Sequence, residues 1–481
     1  MGENARYIVL INSNGAAKDF SARVAALGGI VVSYHEAAGL AVVSGLAEDA
    51  AALLRASGLG VVEPDFQIAL DRPLASAASD PTEVPRDAMP HQANPASAAR
   101  FAYQWNMSLI HAPAAWAAGK LGSPTVRVAI IDSGLDYDAP DLNGLVDLSS
   151  SKSFMNHFVG QMDDTTTHDV DESDPIVPSD DQIVGFFPRR NLITDLNGHG
   201  TNVATQVSSK GAALAGVTSK TTLIGVKVVG ANGVGSFSDI LNGVLWAADH
   251  NADVANMSLG AGFSKAGNGY DLALINRVFN YARQKNMLIV VAAGNSSINL
   301  QRIGNGFETY CDAPHVICVS AVGPRLASAL GTSAADEPAF YSNFGQNSAD
   351  VAAPGGNADA AHGFTPSRWP WSDPAPAAFS QFDVASWVWA YCAKQTLVIQ
   401  RAADRVHGNL FTTQCLAGNY IWPFVGTSQA SPHVAGLAAL LIAENGKGNP
   451  ERIKALIQRS GDATDPAYGR SRINVQRALG L

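Results

Sequence analysis

Val126-Arg127-Val128-Ala129-Ile130-Ile131-Asp132-Ser133-Gly134 is the stretch from which the architecture can be read outward. Apolar, mostly β-branched residues run from Val126 to Ile131, broken only by Arg127, and stop at a carboxylate and a glycine. A half-buried strand alternates polar with apolar residues, whereas a strand covered on both faces of a parallel sheet stays apolar at successive positions. Leu223–Val229, Val254–Met257, Met287–Ala292 and Val316–Val322 repeat the signature. Helical spacing lies between them over Asp239–His250 and Leu272–Lys285. Strands alternating with helices specify an α/β fold: a doubly wound parallel sheet in a three-layer αβα sandwich. In such sheets, functional groups gather at the carboxyl ends of the strands, which is where Asp132 stands.

Upstream, residues 1–72 carry a different pattern. Arg6–Ile11, Ile30–Tyr34, Leu40–Ser44 and Val61-Val62 read as strands, and Asp19–Leu27 and Ala47–Ala56 as helices. The order βαββαβ is that of a ferredoxin-like domain. Residues 73–103 mix Pro73, Pro81, Pro85, Pro90 and Pro95 with Ala and Ser and sustain no apolar period, as a mobile linker does. The α/β domain spans 104–481, with surface insertions expected at about 145–190 and 355–422. The first holds eight acidic residues from Asp163 to Asp181 with no Lys or Arg among them, read as a solvated loop or a calcium-binding one. The second gathers Trp369, Trp371, Trp387, Trp389 and Trp422, read as an aromatic cluster or a substrate surface.

The bulk numbers narrow the function. A formal charge of −10 argues against nucleic acid, whose phosphates call for a basic face. No apolar run approaches the length of a membrane span. The N-terminus lacks the basic-then-apolar layout of a secretory signal. Four cysteines (Cys311, Cys318, Cys392 and Cys415) allow three pairings or four free thiols, and an even count favours an oxidising compartment. A secreted or periplasmic location is therefore expected, with the signal lying outside this sequence. A monomer is expected.

Four short peptides carry chemistry. Ser428 lies in Gly426-Thr427-Ser428-Gln429-Ala430-Ser431-Pro432-His433, at the head of an Ala/Leu-rich helix. A serine hydroxyl is a weak nucleophile and needs an adjacent base. His199, in Asn197-Gly198-His199-Gly200-Thr201-Asn202, is the candidate base, with glycines leaving its ring room. Asp132 can fix the imidazole tautomer and stabilise the imidazolium. Asn295, after Val290-Val291-Ala292-Ala293-Gly294, can donate its amide to an oxyanion. Taken singly, each has a duller role: turn former, loop histidine or helix cap. No His-Glu-x-x-His spacing points to a metal hydrolase.

In these peptides, and in the order Asp, His, Ser, residues 104–481 resemble the peptidase domain of the subtilases, with a subtilisin-like sheet. Residues 1–72, closing on Glu63-Pro64-Asp65, resemble the family's inhibitory propeptide. The resemblance implies a serine endopeptidase acting on polypeptides through an acyl-enzyme, made as a zymogen that cuts itself near Leu70–Arg72. Its own propeptide would be its inhibitor. It assigns Asp132, His199 and Ser428 as catalytic and Asn295 to the oxyanion. Ser258-Leu259-Gly260, with Ala292 and Gly294, would line the first specificity pocket. Gly233-Val234-Gly235-Ser236-Phe237 would form the opposite edge, with Phe237 near the fourth subsite and substrate entering as an added strand. No catalytic cofactor is implied, only structural calcium. Asp141 matches the family's calcium aspartate, but the loop from Ala204 to Gly216 is short for that site. Two further departures are Gln429, where the family more often has Met, and Asn202, where a second His is frequent. Rival readings are a processing protease whose acidic insertion selects basic substrates, and a silent scaffold on the same fold.

Overall fold

The computed structural model describes residues 6–12, 19–70, 82–83, 91–155, 192–195, 197–230, 233–260, 262–324, 336–357, 388–392 and 420–481. Its N-terminal unit runs β1 (Arg6–Ile11), α1 (Phe20–Ala26), β2 (Ile30–His35), β3 (Leu40–Ser44), α2 (Glu48–Ala56) and β4 (Gly60–Pro64). The four strands pair antiparallel in the order β2-β3-β1-β4. Val9, Val43, Phe20 and Leu54 are buried between this sheet and its two helices. A short strand, β5 (Gln67–Ala69), leaves the unit and lies against the large domain.

The large domain is built from β6 (Arg127–Asp132), β7 (Lys152–Ser153), α3 (His199–Val207), β8 (Thr222–Lys227), β9 (Val234–Ser236), α4 (Phe237–Asp249) and β10 (Val254–Met257). There follow α5 (Gly269–Gln284), β11 (Leu288–Ala292), β12 (Val316–Val322), β13 (Val351–Pro354) and α6 (Thr427–Asn445). Seven strands form one parallel sheet in the order β13-β12-β11-β10-β6-β8-β7. Its burial explains the apolar runs. Val128, Ile130, Leu288 and Val290 point into one core with α6, while Ala129, Ile131, Ile289 and Val291 point into the other with α4 and α5. A strand with both pleat faces buried admits few polar side chains before it ends, and β6 ends on Asp132. Among the described residues, no helix is long and apolar enough to cross a membrane.

Three expectations shift. Residues 145–155 belong to the sheet rather than to an insertion: Val146 bridges Leu223 and Lys152–Ser153 is its edge strand. At the second insertion, Gly355 through Asn357 are buried, and the Gly426 amide donates to the Gly355 carbonyl at 3.0 Å, tying the exit to the return. Val388–Cys392 and Tyr420–Phe424 pair there, and Thr82–Glu83 of the expected linker adds a third strand. The linker's last part is docked as well. Gln92, Ala99 and Arg100 donate backbone N–H groups to the carbonyls of Lys210, Ala212 and Ala213. Cys311 and Cys318 form a disulfide. Asp163–Asp181, Trp369, Trp371, Trp387 and Cys415 lie outside the described residues.

Candidate active site

Asp132 pairs with His199, and Asn295 lies against Thr427 beside Ser428, all of them buried at the carboxyl edge of the sheet. Asp132 ends β6 and His199 opens α3; Asp132 Oδ1 lies 2.8 Å from His199 Nδ1 and accepts the Ser133 amide at 2.7 Å. A histidine that donates Nδ1–H to a carboxylate keeps Nε2 as an acceptor, the tautomer a general base requires. The two loops approach closely enough to require glycine at position 200. A Cβ there would stand 2.2 Å from the Gly134 carbonyl oxygen and 3.2 Å from the Asp132 Cβ.

The His199 loop is organised by a residue that sequence reasoning missed. Asp195, fully buried, accepts from the Asn197, Gly198 and Thr201 amides and from the Ser133 and Thr201 hydroxyls, at 2.6 to 3.0 Å. The available signal was Asp195-x-Asn197-Gly198 immediately before the histidine, a carboxylate placed to receive turn amides.

Ser428 is the second residue of α6, and its Oγ donates to the Ser258 carbonyl at 3.3 Å. Pro432 falls in the second turn of this helix, not the first, so the Ser428 carbonyl loses its helical donor. The Ser258 hydroxyl supplies the replacement at 2.9 Å. Asn295 is oriented by Thr427, whose amide and hydroxyl both donate to its Oδ1 at 2.8 and 2.9 Å. The Asn295 NH2 therefore faces the other way, toward Gly426. Asn343 holds the same loop, accepting from the Ser296 and Ile298 amides and donating to the Ala293 carbonyl.

A cavity of about 270 Å³ opens beside Ser428. Ser258, Leu259, Gly260, Ala292 and Gly294 line it, together with Glu308 and Thr309, which the sequence reading did not single out. Gly233 and Gly235 sit on the other edge, and there the chain's own β5 occupies the place of an added strand. Gly235 pairs antiparallel with Ile68, and the Leu70 amide donates to the Gly233 carbonyl at 2.7 Å. Gln67 and Ile68 thereby reach the same cavity. Phe237 opens α4 instead of closing the edge strand, and its buried ring stacks on Phe66 at 4.7 Å.

Gln429 and Asn202 meet: the Gln429 amide donates to Asn202 Oδ1 at 3.0 Å, joining α6 to α3. His433 is structural. With its proton on Nδ1 it donates to the Gln429 carbonyl and accepts from Asn106, while burial pulls its imidazole down to about 4.

The surroundings of Asp141 do not suit a cation. Its carboxylate is fully buried and receives the backbone amides of Ala212, Ala213 and Leu214, so its lone pairs point at N–H groups. Burial pushes its carboxyl up to about 6 against the pull of those amides. A calcium site needs six to eight oxygen ligands, and this loop presents donors instead.

The chain is 29% identical to the thermophilic serine proteinase of Bacillus sp. (strain AK1) over 76% of its own length and 65% of that protein's, just under two thirds. It is 26% identical to the subtilisin of Bacillus pumilus over 78% of its length and 98% of the relative's. The crystal structure of the epidermin leader peptide processing serine protease from Staphylococcus aureus superposes with a TM-score of 0.67 at 21% identity. That fold match covers 99% of this chain and 98% of the other. The family model described as the subtilase family, Peptidase S8, matches residues 123–476, and the chain belongs to that family.

Proposed function

We propose that this subtilase is a self-processing zymogen that hydrolyses extended polypeptides through an acyl-enzyme. His199 takes the Ser428 proton, Ser428 Oγ attacks the peptide carbonyl, and the Asn295 amide with the Ser428 N–H holds the oxyanion. His199 then protonates the leaving amine, and water, activated by the same imidazole, releases the acyl group. Asp132 keeps the imidazole oriented and compensates its charge.

The observation that carries the reading is the strand of the chain itself laid along the cleft. Gln67–Ala69 pairs with Val234–Ser236 and runs toward the cavity beside Ser428, in the manner of a bound substrate. The N-terminal unit is thus the intramolecular inhibitor, and the cut falls near Leu70–Arg72, of which Asp71 and Arg72 lie outside the described residues. The Cys311–Cys318 disulfide supports a secreted or periplasmic site of action.

The test is intact mass followed over time for the wild type and for Ser428→Ala. Loss of the segment up to Leu70–Arg72 is expected in the wild type alone, with the mutant folded and full-length. Cleavage of the mutant at the same bond would refute the assignment. Asn295→Leu is expected to lower kcat by about 10²–10³-fold with little change in KM.

A further inference from the structure

Where the chain's own strand enters the cleft, two rings of the peptidase domain receive the side chain at its head. Phe66 immediately precedes β5, and its carbonyl accepts the Phe237 amide at 2.9 Å, so the antiparallel contact of β5 with β9 continues one residue upstream. The Phe66 ring stacks on Phe237 at 4.7 Å, with 18° between the planes. It meets Phe263 edge-on at 6.1 Å. Phe263 is held in turn by Phe307, opposite it where Phe263–Ser264 pairs with Gly306–Phe307, the two rings stacked at 4.5 Å. Phe237 and Phe307 are buried in the core and Phe263 is half-buried, so both walls around the Phe66 ring are fixed by the peptidase domain itself.

The reaction uses none of these rings, and Phe66 lies far up the chain from the bond. A cut after Leu70 makes Phe66 the fifth residue before it, and a cut after Arg72 makes it the seventh. In either register it stands upstream of a fourth subsite. Departure of the N-terminal unit uncovers a face of Phe237 and an edge of Phe263, an apolar patch beside the cleft. The neighbouring Asp65 is a poorer model of a substrate group. It accepts from the Ser238 amide and hydroxyl, but against the charge of Asp239 and with Arg6 beside it at 3.4 Å. Arg6 belongs to the N-terminal unit, and a substrate brings no such counter-charge. A ring needs none, because stacked and edge-on aromatic contacts add about two- to tenfold in affinity beyond the area they bury.

We infer that Phe237 and Phe263 form a subsite for an aromatic residue of the substrate, five to seven residues before the scissile bond, at the place Phe66 holds. This rests on the peptidase reading above, with the N-terminal strand lying as a substrate lies. Phe237 thereby receives a residue further upstream than the resemblance assigns to it. A Phe or Tyr ring stacks on Phe237 and abuts Phe263, while the carbonyl of the same residue accepts the Phe237 amide. That backbone bond is common to every sequence, so selection falls on the ring. Contact so far from the reacting carbonyl acts by holding the extended strand in place, and it is read in kcat/KM.

The experiment uses the self-processed protein and internally quenched peptides that copy residues 63–75, a span that keeps the register whichever bond is cut. The peptides differ only at the Phe66 position, which holds phenylalanine, tyrosine, alanine or aspartate. For the wild type, kcat/KM for the phenylalanine and tyrosine peptides should exceed that for alanine by about tenfold, with aspartate no better than alanine. Raising salt should leave the phenylalanine-to-alanine ratio unchanged, since no charge is involved. In Phe263→Ala and in Phe237→Leu that ratio should shrink to about threefold or less. Each ratio is read within one preparation, so a partial loss of folded enzyme cancels. A wild-type ratio near one, or a ratio undiminished in either variant, overturns the inference. Labelling of Ser428 by a fluorophosphonate separates the two readings. Labelled enzyme that turns over the peptides alike, or cleaves none of them, refutes only the aromatic subsite. Protein that is neither processed nor labelled refutes the peptidase reading and this inference with it.

Discussion

Asn202 and Gln429 replace residue types more usual in the family, and the reason for reading them together is that each is the other's partner. Both are fully buried, and Asn202 Oδ1 accepts from Gln429 and, at 3.2 Å, from Gln206. Removing one side chain leaves the other's polar group dehydrated and short of a partner, which costs about 1–3 kcal/mol. Removing both eliminates the mismatch. Asn202→Ala and Gln429→Ala should therefore each destabilise the fold, while the double variant loses about 1–2 kcal/mol less than their sum. Urea unfolding in the Ser428→Ala background, which prevents self-digestion, measures this, and strictly additive losses would contradict it. The pair sits one residue from the nucleophile and three from the base, so the same coupling should appear in kcat of the active forms.

At the scale of elements, the parallel sheet was legible because a strand buried on both faces advertises itself locally, in β6 as in β10 and β12. The candidate triad was legible because a carboxylate at a strand end and a serine at a helix head are local patterns. What escaped depends on partners far along the chain. Phe237 reads as the end of an edge strand, but it opens a helix whose N-cap residue, Ser236, makes no side-chain cap bond. The cap is Asp65, whose Oδ1 accepts the Ser238 amide at 3.1 Å from 173 residues away. Residues 91–103 read as linker because their backbone partners, at 210–213, are remote. Asp141 matched a motif, but the amides that surround it come from the loop at 212–214 and reverse the chemistry. The helix α6 supplies a test of such compensation. Ser258→Ala should lower stability by about 1–3 kcal/mol, since the Ser428 carbonyl then has no donor. Pro432→Ala restores a backbone N–H at the position that would reach that carbonyl. The penalty of Ser258→Ala, read as a shift in Tm, should therefore shrink in the Pro432→Ala background; an undiminished shift would mean the hydroxyl acts elsewhere.

For the whole molecule, the interface between the N-terminal unit and the peptidase domain is crowded with carboxylates, and in the zymogen proposed above their titration would set when it opens. Asp65 accepts from Ser238 and faces Asp239, and both lie against Arg6, whose guanidinium reaches Asp239 at 2.7 Å. Glu63 and Asp65 face Asp271, and the Tyr270 hydroxyl donates to the Ile8 carbonyl. At the far end His35 meets Asp249, which also binds Tyr281 and Lys285. Burial first, then the charges of Glu63 and Asp65, pushes Asp271 up to about 6 from an ordinary 3.8. Burial likewise raises Asp239 to about 6 although Arg6 opposes it, and raises Asp65. Separation uncovers Asp271 and removes both neighbouring carboxylates, so its proton is held more tightly in the complex than after release. The complex accordingly gains stability as the pH falls from about 6 toward 4, and loses it as the pH rises through about 6. Each such carboxyl can contribute up to about tenfold in affinity between pH 7 and pH 5. Self-processed protein held at pH 5, 6 or 7 and then assayed at one common pH should therefore gain activity several-fold more slowly at pH 5. Asp271→Asn, which cannot titrate, should flatten that profile. Equal or faster activation at pH 5 would show that the buried carboxyls do not govern release.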